Sequence, residues 1–317
     1  MTLYLTESQV EQIITMPDAM RLVEDAFREL GHARASNRPR QRVRVSNGIL
    51  NVMPAGLPTR GYLGFKYYSS FRAQTRFWFH LIDANTGDLV AVMQADRLGQ
   101  QRTGAASGVA TKYLARSDAS TVGIIGTGWQ AEGQLQAICL ARSIRAVNCF
   151  SRDAERRESF ARKMSAQLGI DIYAVDSAAA AVRDADVVVT ITNSREPVLL
   201  GEWLKPGTHI NVAGANRLEA RELDDAVIRQ SNLICVDSIE QAKIESGDLV
   251  SSVEHGVLSW ERVSELSQVI GAQPPGRKNP NDITLFKSLG IALEDVAVGA
   301  WVYEQARQRN MGTEIHL

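Results

Sequence analysis

The feature that most constrains this chain is a glycine-spaced turn between an apolar strand and a helix. Residues 121–131 read TVGIIGTGWQA, and within them Gly126-Thr127-Gly128-Trp129-Gln130-Ala131 has the spacing GxGxxA. The run TVGII predicts a buried strand, and the pattern after it predicts a helix over 129–141. The first glycine permits a tight turn, the second lets backbone approach a pyrophosphate, and Ala131 allows close helix–strand packing. The helix N-terminus adds amide donors and the positive end of a dipole. Strand, turn, helix and second strand in this order are what a dinucleotide-binding Rossmann unit requires.

Strands and helices keep alternating beyond the motif. AVNCFS, a helix over 153–168, IDIYAV, a short helix over 178–182, DVVVTIT, HINVAG and LICVD follow in turn. The strands are continuous runs of Val and Ile, as in strands buried on both faces, which implies a doubly wound parallel sheet. The first third reads differently. Residues 17–30 form an amphipathic helix with Met20, Val23, Phe27 and Leu30 on one side, and Gly31 is expected to close it in the left-handed region. QRVRVS, ILNVMP, YLGFKYYSS, RFWFHLID and DLVAVM then predict an antiparallel sheet, with Asn85-Thr86-Gly87 as a hairpin turn. TGAASGVATKYLA predicts a small-residue helix, and 273–281 (QPPGRKNPN) a polar loop. Residues 283–310 carry a long helical pattern, apolar enough to need a partner surface in the N-terminal part. The expected fold is α/β: a Rossmann-type doubly wound parallel sheet inserted into an α+β domain. Its expected boundaries are 119–294 for the dinucleotide-binding domain and 1–118 plus 295–317 for the other.

Composition narrows the partners. The 35 basic and 36 acidic residues leave a net charge of −1, which gives no electrostatic footprint for nucleic acid or an anionic membrane. Cys139, Cys149 and Cys235 are far apart, and no CxxC or HExxH occurs, so no metal site is expected. No run reaches the roughly 20 apolar residues that span a bilayer. The start, MTLYLTESQVEQ, lacks the basic and apolar regions of a signal peptide. A reducing cytoplasm is the expected compartment.

The end of the second Rossmann strand selects the cofactor. An NAD site usually places Asp or Glu there for the ribose hydroxyl. This chain reads Cys149-Phe150-Ser151-Arg152-Asp153, so Ser151 stands where the carboxylate is expected. A hydroxyl followed by a guanidinium suits a 2′-phosphate, which favours NADP(H) over NAD(H). The alternative is that Asp153 caps the next helix and Arg152 is a solvated charge.

Outside that half, Arg40 and Arg42, Lys66 and Arg102 stand out. Lys66 interrupts an apolar strand and Arg102 precedes the small-residue helix, where a cation is costly unless it meets an anion. A clamp on a substrate carboxylate, with Lys66 as point charge or proton donor, is one reading. Internal ion pairs are the other. Arg44, Arg72 and Arg76 add cations nearby, enough for a second carboxylate if they line the same site, or simply surface charge.

NVMPA (51–55), GFKYYSS, RTGAASGVATKYLA, GIIGTGWQA, VAGANRLEARELDD, ITLFKSLGIALEDVA and MGTEI together resemble the ornithine cyclodeaminase/mu-crystallin family over nearly the whole chain. The resemblance implies a homodimer with a substrate-binding and dimerisation domain, and an oxidoreductase, lyase or crystallin-like binder. It places a substrate carboxylate on Arg40 or Arg42, Lys66 and Arg102. Cyclodeaminases of this family carry an Asp where this chain has Asn216 in Gly214-Ala215-Asn216, and an amide can neither act as a base nor balance an ammonium group. The implied activity is therefore NAD(P)H-dependent reduction of a small 2-imino acid, of ketimine or iminosuccinate type, or its reverse. Lys66, Arg102 and Asn216 are the catalytic candidates, and a small amino or imino acid is the expected partner.

Overall fold

The structure is a computed structural model and describes residues 1–72, 74–272 and 276–316. Strand β1 (Thr2–Leu5) leads into helix α1 (Glu7–Ile13), where Gln9 Oε1 accepts from the Thr6 amide at 3.0 Å. Helix α2 (Met16–Gly31) has Pro17 in its first turn and a Thr15 cap, and it buries Leu22, Val23, Ala26 and Phe27. Gly31 was expected to take the left-handed turn, but it stays helical. The Arg34 amide reaches back to the Glu29 carbonyl and the Ala33 amide to the Leu30 carbonyl, so the closing motif falls on Ala33, at φ +56°.

Next come β2 (Ser36–Asn37), β3 (Gln41–Val45), β4 (Gly48–Leu57), β5 (Tyr62–Phe71), β6 (Gln74–Asp83), β7 (Leu89–Gln94) and helix α3 (Asp96–Leu114). The Rossmann half runs β8 (Thr121–Ile125), α4 (Trp129–Ala141), β9 (Ala146–Phe150), α5 (Ala154–Leu168), β10 (Asp171–Ala174), α6 (Ala178–Val182) and β11 (Val187–Thr190). It continues with β12 (His209–Val212), α7 (Asp225–Gln230), β13 (Leu233–Val236), α8 (Ile239–Glu245), α9 (Gly247–Glu254), β14 (Val263–Glu265), α10 (Leu266–Ile270) and β15 (Thr284–Lys287). Helix α11 (Ala292–Gln308) and β16 (Thr313–Ile315) close the chain. Two units result, Met1–Arg102 with Gly290–Leu317, and Thr103–Leu289. One junction lies inside α3 and the other just ahead of α11, each earlier in the chain than the boundaries expected at 118 and 294.

Among the described residues of the first unit, eight strands form one sheet in the order β16-β1-β7-β6-β5-β4-β2, with β3 also paired to β4. All pairs are antiparallel except β1–β7, whose strands run parallel. Gly87, at φ +79°, completes the expected β6–β7 turn. Met53, Lys66 and Phe79 lie opposite one another on β4, β5 and β6 and share one buried face. Helix α11 covers these strands and α2, and Gly299 makes this approach possible: a Cβ there would lie 2.2 Å from the Phe79 ring. The last helix therefore belongs with the N-terminal elements.

The second unit is a parallel sheet in the order β10-β9-β8-β11-β12-β15-β13-β14, and its order reverses between β8 and β11. One side buries Ile125, Val188, Ile210 and Leu285, and the other buries Ile124, Leu135, Val147 and Val189. Gly104 of α3 packs on α4, where an added Cβ would lie 2.3 Å from the Gly133 carbonyl oxygen. The long helical pattern over 283–310 needs correction. Thr284–Lys287 is strand β15, inserted between β12 and β13 and wholly buried, and Gly290 at φ +73° separates it from α11. A four-residue apolar run carries no period that distinguishes a strand buried on both faces from a turn of helix. Of the loop expected over 273–281, residues 273–275 lie outside the described residues. No helix among the described residues is long and apolar enough to cross a membrane.

His209, at the start of β12, is fully buried, with Nδ1 3.0 Å from Thr284 Oγ1. Burial, helped by the Arg277 charge, pushes its imidazole down to about 3. The unfolded chain therefore binds this proton first, and stability is full above about pH 6.5 and falls by roughly 1.4 kcal/mol per pH unit below it, until about pH 3. Denaturant melts of His209→Gln between pH 7 and 4 are expected to show a shallower loss than the parent.

Candidate active site

The dinucleotide turn is built by backbone constraints. Gly126 follows β8 at φ +110°, and a Cβ there would lie 2.3 Å from the Ile191 carbonyl oxygen just beyond β11. Only glycine fits. Gly128 caps α4, and an added Cβ would meet nothing within 4 Å, so open space lies over the helix N-terminus. Ala131 is fully buried beneath it, Trp129 is 44% exposed, and Gln130 Oε1 has no hydrogen-bond partner among the described residues. A strand-terminal turn and an open helix N-terminus fit a bound pyrophosphate.

Thr127 Oγ1 donates to Ser151 Oγ at 2.8 Å, which ties this turn to the end of β9. Asp153 caps α5, accepting from the Arg156 amide at 3.1 Å, so the capping role weighed from sequence is real. Arg152 is exposed. Arg157, which the sequence reading passed over, donates to the Ser151 carbonyl at 3.2 Å, pairs with Asp176 at 2.6 Å, and lies over the Phe150 ring. Its place in the first turn of α5 offered no sequence signal.

Asn216 is half-buried on the loop after β12. Buried Glu222 holds this loop: Oε1 accepts from the Thr192 amide and hydroxyl at 2.7 and 2.8 Å, and Oε2 from the Gly214 and Ala215 amides at 2.9 and 3.1 Å. Burial pushes the Glu222 carboxyl up, while the Lys287 charge works the other way. Asp248 Oδ1 accepts from the Glu222 and Leu223 amides, and Lys287 Nζ donates to the Ala215 carbonyl at 2.6 Å and lies 3.0 Å from Asp248. Nothing in residue type or spacing distinguished Glu222 from an ordinary surface acid.

In the first unit, Arg40, Lys66 and Arg102 are 4%, 2% and 5% exposed. Lys66 Nζ donates to Asp295 Oδ1 at 2.9 Å, and Arg102 Nε donates to the same oxygen at 3.0 Å. Arg102 Nη1 meets Glu294 Oε2 at 2.8 Å, and Arg40 Nη2 donates to the Gly290 carbonyl at 3.1 Å. Both acids stand in the first turn of α11, where the helix dipole favours negative charge. Burial, reinforced by Arg102 and opposed by Asp295, pushes the Lys66 ammonium down to about 8. The ion-pair reading from sequence is thus present in the fold, and the three cations converge on the start of α11. Arg42 lies on β3 opposite Asn51, while Arg44, Arg72 and Arg76 are exposed. Asn51, buried and on the same sheet face as Met53 and Lys66, escaped the sequence reading as an ordinary strand residue.

The sequence profile of the ornithine cyclodeaminase/mu-crystallin family matches residues 1–310. The chain belongs to this family. It is 38% identical to an alanine dehydrogenase of Archaeoglobus fulgidus, with 99% of this chain and 98% of the relative aligned. The solved Delta(1)-pyrroline-2-carboxylate reductase of Thermococcus litoralis, in complex with NADH and L-proline, superposes with a TM-score of 0.96 at 38% identity, covering 99% of this chain and all of that one. The iminosuccinate reductase of Paracoccus denitrificans, solved with NAD+, matches at a TM-score of 0.94 and 27% identity, over all of this chain and 99% of that one. These relatives place the chain on the oxidoreductase side of the ornithine cyclodeaminase/mu-crystallin family.

Because Arg102 compensates two buried carboxylates, Arg102→Leu is expected to destabilise the chain by about 3–5 kcal/mol as well as disturb any substrate site. Arg102→Lys keeps a charge and is expected to lose less than half as much. Chemical denaturation of both variants checks this, and equal stability of the leucine variant and the parent contradicts it.

Proposed function

We propose that this family member is an NAD(P)H-dependent reductase of small 2-imino acids, which runs in reverse as an amino-acid dehydrogenase. The observation that carries the reading is the buried convergence of Arg40, Lys66 and Arg102, with Lys66 poised near neutrality. Arg40 and Arg102 hold the substrate α-carboxylate, and the Lys66 ammonium contacts it or supplies the proton that the imine nitrogen takes up. A bound nicotinamide supplies the hydride. The chain's share is orientation, charge and the proton. Asn216 in place of an Asp speaks against cyclisation of a diamine, which needs a carboxylate to balance the ammonium group or take its proton.

Gly126, Thr127, Gly128, Trp129, Gln130 and Ala131 hold the pyrophosphate side of the cofactor, and Ser151 and Arg152 its adenosine ribose. The strand end offers the Ser151 hydroxyl and the Arg152 guanidinium, while the Asp153 carboxylate is engaged as the cap of α5, which supports NADP(H) ahead of NAD(H). The exposure of Arg44, Arg72 and Arg76 supports a substrate with one carboxylate, such as a cyclic ketimine or 2-iminopropanoate, over iminosuccinate. We assign substrate binding and dimerisation to the first unit, Met1–Arg102 with Gly290–Leu317, in place of the expected 1–118 with 295–317, and dinucleotide binding to the second, Thr103–Leu289, in place of 119–294. The outer face of the first sheet, with Phe65 stacked on His80 and Leu63 40% exposed, suits burial in a homodimer. Three free thiols, two of them buried, suit a cytoplasmic enzyme.

The test is NAD(P)H oxidation with pyruvate plus ammonia, cyclic ketimines, and oxaloacetate plus ammonia. Reduction of a monocarboxylic imine is expected, with a rate that falls above about pH 8 as Lys66 loses its proton. Turnover of none of the three, with ammonia released from ornithine, would instead establish a lyase. Arg152→Ala is expected to weaken NADPH use by about 10- to 150-fold relative to NADH, the worth of a guanidinium–phosphate contact. Equal loss with both cofactors would remove Arg152 from the site.

A further inference from the structure

Lys66 and Arg102 converge on one carboxylate oxygen. Asp295 Oδ1 accepts from both, at 2.9 and 3.0 Å, while Oδ2 has no hydrogen-bond partner among the described residues. The three side chains are at most 6% exposed. Lys66 is faced by Arg102 from α3, by Arg40 from the segment before β3, and by Asp295 from α11. Glu294 reaches the group through Arg102, and the sheet neighbours Met53 and Phe79 are apolar. Burial and both arginines therefore favour a neutral amine at Lys66, and Asp295 is the charge in direct contact that favours the ammonium.

We propose that Asp295 is a positioning residue that keeps Lys66 protonated and aimed, and so sets the alkaline limit of imine reduction. The proposal rests on the reading of Lys66 as proton donor. Asp295 never meets the reacting atoms. It acts through the lysine, and because Arg102 shares the same oxygen, it also fixes the spacing between the proton donor and the carboxylate clamp.

The experiment compares the parent with Asp295→Asn and Asp295→Glu. Asparagine keeps the size and removes the charge, so Lys66 should lose its proton at lower pH. The alkaline limb of kcat/KM for imine reduction should move down by about one pH unit or more, which at pH 8 is a loss of rate of about fivefold or more. Glutamate should restore the limb towards the parent. A merely structural residue would lower the melting temperature and the rate at every pH without moving the limb. Carbon-13 NMR of labelled lysine, with the Lys66 resonance identified by its loss in Lys66→Arg, reads the same midpoint without turnover. It therefore tests Asp295 even if the imine substrates fail. A limb or NMR midpoint unmoved in Asp295→Asn overturns the proposal. If that variant does not fold, a parent Lys66 titrating near 8 supports it, and one titrating below about 7 overturns it, because no carboxylate would then be holding the proton.

Discussion

A lysine in the middle of an apolar sheet face is an unstable arrangement unless something answers its charge, and in this fold the answer is the carboxylate of Asp295. The same oxygen serves Arg102, and Glu294 takes the other side of that guanidinium. Two segments far apart in sequence are thereby pinned to the first turn of α11. Each pays desolvation for being buried, and only their mutual pairing makes the burial tolerable. Gly290 shows how tight the arrangement is: a Cβ there would sit 2.3 Å from Arg102 Nη1. The geometry that stabilises the first unit is also the geometry that gathers three cations, so its stability and its chemistry share the same atoms.

The Rossmann half was legible because its constraints are local. Gly126 needs a positive φ, Gly128 must leave the helix end open, and Ala131 must be small, and each demand is written at one position in the chain. Lys66 and Arg102 were also visible, because a cation in an apolar or small-residue context is an anomaly that asks for a partner. Their partner was not visible. Glu294 and Asp295 look like ordinary acids in the first turn of an amphipathic helix, and only the return of α11 to the first sheet reveals what they balance.

The remaining misses have the same origin. Glu222 gathers four donors from two loops, Arg157 is fixed by the end of β9 and the loop after β10, and Asn51 owes its burial to sheet register. None of these roles is encoded in the neighbours along the chain. Strand β15 was misread for a different reason: four buried residues are too few for a period to declare itself. Gly31 was misplaced by two residues because the closing hydrogen bonds of α2 are satisfied equally well with Ala33 in the left-handed turn.

The position of β15 has a consequence for how the chain is made. It lies between β12 and β13, yet it is synthesised after β13 and β14. Those two earlier strands have no hydrogen-bonded route to the rest of the parallel sheet until residues 284–287 have left the ribosome. The first unit waits longer still, since α11 and β16 come last and cover Phe79 and pair with β1. Each sheet thus stays incomplete, with apolar strand edges unpaired, until these later segments have been made. Loss of residues 284–317 would therefore open both sheets, whereas loss of α11 and β16 alone would open only the first.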